Sequence, residues 1–311
     1  KLSGTLFITE GTEDIYAGYE EGTLGYQIMG DNPTRETRNT YNAAFTNNIT
    51  RTLFTATEKN VHNIADTTVY YYAGNTTNNW IKFAGYYWRI IRTNADGSIR
   101  LLYSGTSHDT TSGYLSIGTS AFNSSYNSPK YAGYMYGEND DTLANARTNT
   151  KNSTIKDKID TWYEQNMTSY TKYLSTTAVY CNDRSTSDNT YFGAYTRLKT
   201  NKTPSYDCAA TEDKFTVDTS TGNGKLTYPI ALMTADEVSF AGGLWATNAS
   251  TWYYYNSANG SSTGSTWWWL LSPNYWIGGG ATEFYVRGSS DPGFLSFYPV
   301  RSSGGVRPAI S

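Results

Sequence analysis

The sequence predicts an α+β fold of short mixed or antiparallel sheets, two helices and long loops. Two segments carry complete helix-start signals, many short segments carry strand signals, and the stretches between are rich in Gly, Ser, Thr and Asn. Composition points the same way. Charged residues are 16%, below the usual quarter, whereas Tyr number 29 and Trp 9. A surface polar through hydroxyls and amides suits extracellular β-rich proteins, and so many aromatics exclude a disordered chain.

Residues 1–67 read as a separate N-terminal segment, helical and near a stalk. Glu10 to Glu21 is acidic and punctuated by Gly; Asn32-Pro33-Thr34-Arg35-Glu36 reads as a helix start, with Tyr41, Ala44 and Phe45 following at helical spacing. Residues 68–311 read as one binding domain. Tyr70-Tyr71-Tyr72 leads to Gly74-Asn75. A strand from Trp80 to Arg92 and another from Ser98 to Tyr103 flank Asn94-Ala95-Asp96-Gly97, where Asp-Gly supplies the positive φ of a tight hairpin. Phe83, Trp88, Ile90, Ile99 and Leu101 form its buried face.

Residues 104–150 are predicted as long loops. Ser153 then caps a helix with Ile155, Ile159, Trp162 and Tyr163 on one face. Thr234-Ala235-Asp236-Glu237 spells a capping box, and that helix stops at Gly242-Gly243. Strands are expected at Tyr228–Met233, Trp252–Tyr255 and Trp267–Ser272.

Net charge is -3 with no Lys/Arg cluster, which excludes the basic stripe that nucleic acid requires. No apolar run approaches the roughly twenty residues that span a bilayer, so no transmembrane segment is expected. The chain opens at Lys1 without a Met, as it would had a leader or anchor been removed. Cys181 and Cys208 suit one disulfide closing a 27-residue loop, or else two buried thiols. Such a bridge contributes about 3 kcal/mol in the loop-entropy picture. Neither has His or Cys at metal-ligand spacing.

His108-Asp109 near Ser104 and Ser107 holds the letters of a catalytic triad but lacks a Gly-x-Ser-x-Gly elbow. His62 reads as a solvated loop residue. Asp96-Gly97 reads as a plain turn, since the alternating carboxylates of a calcium loop are missing. Glu138 with Asp140-Asp141, and Asp183, Asp188 and Asp207, are candidate cation clusters set against solvated acidic loops. No phosphate loop or dinucleotide fingerprint occurs. No cofactor is expected, and no motif supports a structural calcium.

The runs Trp267-Trp268-Trp269-Leu270-Leu271-Ser272-Pro273 and Gly304-Gly305-Val306-Arg307-Pro308 bracket about thirty residues dense in aromatics, Gly and lone charges. Tyr and Trp give rigid contact area while Gly and Ser adapt, which is paratope chemistry. The bracketed residues contain no His, Cys or Lys, so they read as a binding surface rather than a catalytic one. Alternation along the Trp run predicts one inward and one outward face, with most of the run in the core. Arg307 reads as a buried structural arginine. Turns at Gly278-Gly279-Gly280 and Gly288–Gly293 present the neighbouring side chains on an exposed rim.

Five pieces, read in order, are Phe83-Ala84-Gly85-Tyr86-Tyr87-Trp88-Arg89-Ile90-Ile91-Arg92, Asp96-Gly97-Ser98-Ile99-Arg100-Leu101, Tyr228–Glu237, Trp268–Pro273 and Gly305-Val306-Arg307-Pro308. Together they resemble a family of secreted or surface proteins of gut Firmicutes and their phages. Residues 68–311 look like a C-type-lectin-fold variable protein of a diversity-generating retroelement. The resemblance implies a C-type-lectin-like fold of the formylglycine-generating-enzyme-like branch, on a bacterial cell surface or phage particle. It also implies a non-enzymatic, adhesin-like function, with a protein or glycan ligand held by a variable tract at about 274–303.

Mutagenesis in that family falls most heavily on Asn codons. Here 26 Asn occur up to Asn274 and none from Tyr275 to Ser311, where the upstream frequency gives about three. Replaced template codons and a strand-rich tail both account for that. By position, the resemblance implies ligand-binding roles for Asn274, Tyr275, Trp276, Ile277, Thr282, Glu283, Tyr285, Arg287, Asp291, Phe294, Ser296, Phe297, Pro299 and Arg301. Trp268, Pro273, Gly305 and Arg307 are implied scaffold.

Two departures limit the likeness. The sugar-binding tripeptides Glu-Pro-Asn, Gln-Pro-Asp and Trp-Asn-Asp are missing, so a calcium-bridged sugar is not expected. No cysteine lies in the C-terminal part, so the branch's enzymatic activity is not expected. The competing readings are a carbohydrate-active or sulfatase-like enzyme using Asp140, Asp141, Glu237 and Glu283, and a structural surface-layer or pilin-like subunit.

Overall fold

The computed structural model describes residues 14–45, 47, 50–59, 61–107, 115–247, 267–288 and 294–311. Helix α1 (Leu24–Asp31) starts at Thr23, whose hydroxyl accepts the Tyr26 N–H. Pro33 then drives Asn32 out of helical geometry, to φ -126°, and the chain continues as strand β1 (Thr34–Thr37) parallel to β2 (Thr52–Glu58). The helix expected from Asn32 is therefore a strand. Its β-branched Thr37 is matched to Thr55, hydroxyl to hydroxyl at 2.8 Å. β2 pairs antiparallel with β3 (Thr67–Tyr71), so residues on both sides of the expected boundary at 67 share a sheet.

The segment expected as one strand from Trp80 to Arg92 is two: β4 (Trp80–Phe83) and β5 (Tyr86–Thr93), paired antiparallel. Ala84 and Gly85 turn between them with φ 53° and 83°, the left-handed geometry of a two-residue hairpin. The second turn falls at Asn94–Gly97, as the sequence indicates, and leads into β6 (Ile99–Tyr103). Asp96 stabilises that turn by accepting from the Ser98 N–H and hydroxyl. Trp88, Ile90, Ile99 and Leu101 are buried, and Phe83 is half-buried.

The described residues between 104 and 150 are mostly irregular but hold β7 (Thr119–Ser120), β8 (Met135–Tyr136) and the short α2 (Leu143–Ala146). After β9 (Lys151–Asn152), Ser153 accepts the Lys156 N–H and starts α3 (Thr154–Asn166), which buries Ile155, Ile159 and Tyr163. β10 (Tyr180–Cys181) precedes α4 (Gly193–Tyr195), which runs on into a π-helical turn at Thr196–Asn201. β11 (Lys214–Phe215) pairs back on β10. A disulfide joins Cys181 to Cys208, with their Cα atoms 5.8 Å apart.

Next come β12 (Ile230–Leu232) and α5 (Ala235–Ala241), whose Thr234–Glu237 capping box is complete and which ends at Gly242 with φ 127°. Then follow β13 (Leu244–Trp245), β14 (Trp268–Pro273), β15 (Thr282–Val286), β16 (Phe294–Pro299), β17 (Gly304–Gly305) and β18 (Pro308–Ile310). The expected strand Trp252–Tyr255 lies outside the described residues.

The strands make an eight-stranded sheet, ordered β1-β2-β3-β5-β6-β18-β12 with β4 on β5, and a six-stranded sheet, ordered β13-β16-β15-β14-β17-β7. Two two-stranded ladders add to them, so the architecture is α+β with several mixed sheets and few helices. All six residues of β14 are buried. Trp269 packs on Phe122 and donates its indole N–H to the Ser120 carbonyl, while Arg307 lies over the Trp268 ring. β14 is thus covered on both sides and lacks the outward face that alternation predicts. No helix of the described residues is long and apolar enough to cross a membrane.

Candidate binding face

The hairpin β15–β16 carries most of the expected site. Its register places Thr282, Phe284 and Val286 on one face with Leu295, Phe297 and Pro299, and Glu283 and Tyr285 on the other with Ser296 and Tyr298. β13 pairs only with the start of β16, at Phe294 and Leu295. Beyond that point Phe297, Tyr298 and Pro299 are all exposed.

On the first face a row of rings runs outward from Phe297. Trp245 lies alongside Phe297, with centroids 5.8 Å apart and planes 17° from parallel, and meets Phe284 edge-on at 5.7 Å. Tyr195 meets Trp245 at 5.6 Å, Tyr191 stacks on Tyr195 at 3.7 Å, and Tyr275 meets Tyr191 at 4.9 Å. The Lys199 ammonium sits over the Tyr195 and Trp245 rings, at 4.6 and 5.4 Å, and donates to the Tyr195 hydroxyl.

On the second face Trp267 meets Tyr285 at 5.1 Å and Tyr298 at 5.3 Å. Gly304 makes room for Trp267, because a Cβ there would run into the indole.

The remaining expected residues divide by exposure. Ile277 is 50%, Tyr298 45% and Phe297 40% exposed. Arg287 and Arg301 are exposed, lying over Phe294 at 5.5 Å and Tyr126 at 4.1 Å. Tyr275, Trp276, Thr282, Phe294 and Ser296 are half-buried, with Trp276 packed edge-on against Phe192. Asn274, Glu283 and Tyr285 are withdrawn from solvent. Asn274 is used structurally: its N–H donates to the Thr282 carbonyl and its own carbonyl accepts the Phe192 N–H. Asp291 lies outside the described residues. The implied scaffold residues Trp268, Pro273, Gly305 and Arg307 are all buried.

Neither carboxyl oxygen of Glu283 has a hydrogen-bond partner among the described residues. Burial pushes this carboxyl well above its usual range, only partly opposed by Arg184. Burial thus favours the neutral form of Glu283.

Tyr191, Tyr195, Lys199 and Trp245 were not among the expected residues. Each lies far upstream of the tract and reaches it only through tertiary packing. The one local cue is Trp245, two residues after the Gly242-Gly243 helix stop.

The carboxylates considered for catalysis lie in three separate places. Asp140 accepts from Ser128, and the exposed Asp141 accepts the Thr142 N–H. Glu237 is buried, closing its capping box while facing Arg92 at 3.0 Å and Arg100 at 3.7 Å. Glu283 is inside the hairpin. Of the cation candidates, Glu138 pairs with Lys151, Asp183 with Arg197, Asp188 caps the Thr190 and Tyr191 N–H groups, and Asp207 accepts the Lys59 N–H. Among the described residues no three His, Cys, Asp or Glu are grouped to hold a metal.

His62, expected to be solvated, is 2% exposed: its ring lies 3.1 Å from the Thr177 carbonyl and 3.7 Å from Glu58. Glu58 draws it in, and the Arg92 guanidinium holds that carboxyl below its usual range against the opposing effect of burial. His108 and Asp109 lie outside the described residues, and Ser104 is fully buried. A groove of about 840 Å³ lies apart from the hairpin, between Leu24, Ile81, Phe83, Ile99, Leu101 and Tyr173.

No protein-family model, curated protein or solved structure matches the chain.

Proposed function

We propose that this is a non-enzymatic, adhesin-like ligand-binding protein of a bacterial cell surface or phage particle. The observation that carries the reading is where the apolar surface lies. Of the seven exposed large hydrophobic residues among the described ones, Phe297 and Tyr298 belong to the hairpin, Tyr126 borders it beneath Arg301, and Ile277 lies in the loop that leads into it. Arg301 stands at the same end, over Tyr126, and Arg287 is exposed at the opposite end of the hairpin beside Phe294. Exposed aromatic and Arg side chains gathered on one hairpin are the kind of anchors a binding hot spot uses.

The scaffold would be a C-type-lectin-like domain of the formylglycine-generating-enzyme-like branch, with the tract at about 274–303 diversified by a retroelement. Support for diversification comes from the missing Asn after Asn274. Its test is the adjoining DNA, which should hold a near-copy of the tract differing at adenines beside a reverse transcriptase gene. Failure to find that copy removes diversification and leaves the binding role intact.

The binding role is tested with Phe297→Ala, Tyr298→Ala and Arg301→Ala combined. Adsorption of the labelled protein to a panel of bacterial cells should weaken at least tenfold, about 1.4 kcal/mol or more. The melting temperature should hold within about 3 °C, as surface changes of under 1 kcal/mol allow. Unchanged adsorption, or loss of fold in the triple and in every single variant, defeats the reading.

A further inference from the structure

The ring row Tyr275–Tyr191–Tyr195–Trp245–Phe297 has a chemistry of its own. It is assembled from four places: the loop after β14, α4 with its lead-in, β13 and β16. All five rings are exposed or half-buried. The residues beside them are polar but mostly uncharged: Ser187, Asn189, Thr190, Thr196 and Thr247. Asp188 directs an oxygen to the Thr190 and Tyr191 backbone N–H groups, and Lys199 is committed to the Tyr195 and Trp245 rings.

The Trp245–Phe297 pair supplies the geometry. Two rings 17° from parallel with centroids 5.8 Å apart are displaced sideways, since carbon atoms in full face contact approach to roughly 3.5–4.0 Å. Trp245 is half-buried and Phe297 exposed, so part of each near-parallel ring meets solvent, and the two form a stepped platform. A pyranose ring matches such a platform: its C–H face is apolar and electropositive toward a π-cloud, while its hydroxyl rim seeks Ser, Thr and Asn partners. A protein partner would instead be expected to fill a desolvated core of mixed aliphatic and aromatic anchors.

We infer that this face binds glycan chains by stacking sugar rings on Trp245 and Phe297, with the neighbouring hydroxyl and amide side chains reading the sugar hydroxyls. The inference rests on the binding role proposed above and narrows its ligand to one class. Recognition needs no metal ion, because stacking and neutral hydrogen bonds supply it. Lys199 leaves the row compatible with an acidic sugar as well as a neutral one.

The test is affinity electrophoresis of the whole chain in gels containing a mixed-linkage β-glucan, a mannan, a xylan or polygalacturonate, each with and without a calcium chelator. At least one polysaccharide should retard the wild type regardless of chelator. Trp245→Ala and Phe297→Ala should each weaken that binding at least tenfold, and Trp245→Phe, which keeps a ring, should recover part of it. Far-UV circular dichroism and the melting temperature should match the wild type in the Trp245→Phe variant. If no polysaccharide retards the wild type, the glycan inference is overturned, and the binding role then stands or falls on the cell-adsorption test. If Trp245→Ala and Phe297→Ala bind as the wild type does, sugar binding lies elsewhere and the inference is overturned for this face. Binding abolished by the chelator overturns the metal-independent mode.

Discussion

Glu283 stands on β15, an interior strand of the six-stranded sheet, with both carboxyl oxygens buried and without a hydrogen-bond partner among the described residues. Its pKa is raised by burial. The folded state therefore holds a proton that the unfolded chain releases near the ordinary glutamate value of about 4.3. Its contribution to stability is fully present below that value and is lost as pH rises toward the raised folded pKa. Glu283→Gln keeps the shape and removes this titration. We expect the variant to match the wild type near pH 4 and to exceed it increasingly as pH rises toward 8, by at most about 1.4 kcal/mol per pH unit for the single proton involved. Thermal melts across that pH range decide it; a difference that does not grow with pH would falsify the assignment. The resemblance named Glu283 as ligand-binding by its position alone, and a position on a strand does not show whether its side meets solvent. Gly304 was legible as an anchor, but its reason, the Trp267 ring above it, was not.

Among the elements, α5 shows how a local signal acquires a tertiary load. Thr234 and Glu237 close the capping box, and Glu237 also meets Arg92 and Arg100, which come from β5 and β6. Thr234→Ala removes one cap and should lower stability by about 1 kcal/mol. Glu237→Ala also strips a buried partner from two guanidinium groups and should remove about 3–5 kcal/mol. Equal losses in denaturant titrations would show that the ion pairs add nothing.

Both long predicted helices were legible because their caps are local chemistry. The strand at Thr34–Thr37 was not, because Pro33 fits either a helix start or a helix exit, and only the partner β2 decides. The Ala84-Gly85 turn was hidden for a related reason: Ala seldom takes positive φ, so nothing in the apolar run marked a reversal.

At the scale of the molecule, the Cys181–Cys208 bridge closes the loop that carries Tyr191, Tyr195 and Lys199. Stability and binding are thereby joined. Reduction should lower unfolding free energy by about 3 kcal/mol. It should also weaken adsorption to cells under conditions where the chain remains folded, because half of the ring row is then held less firmly. Adsorption that persists unchanged in reductant, with the thiols shown to be free, would separate the loop from the site. The C-terminal tract could be singled out from sequence because its aromatics are contiguous. The upstream rings could not, because Tyr191 and Trp245 reach Tyr275 and Phe297 only once the six-stranded sheet is assembled.

The placement of β17 and β18 bears on how the molecule comes into being. β18 slots between β6 and β12, and β17 bridges β14 and β7, so residues 304–310 join partners made as many as two hundred residues earlier. A ribosome must deliver this short ribbon before either sheet can close, and until then β6 and β12 expose open edges. Contacts of such sequence separation form slowly, and half-finished edges invite wrong partners. A nascent chain of this design cannot complete either sheet until residues 304–310 have emerged.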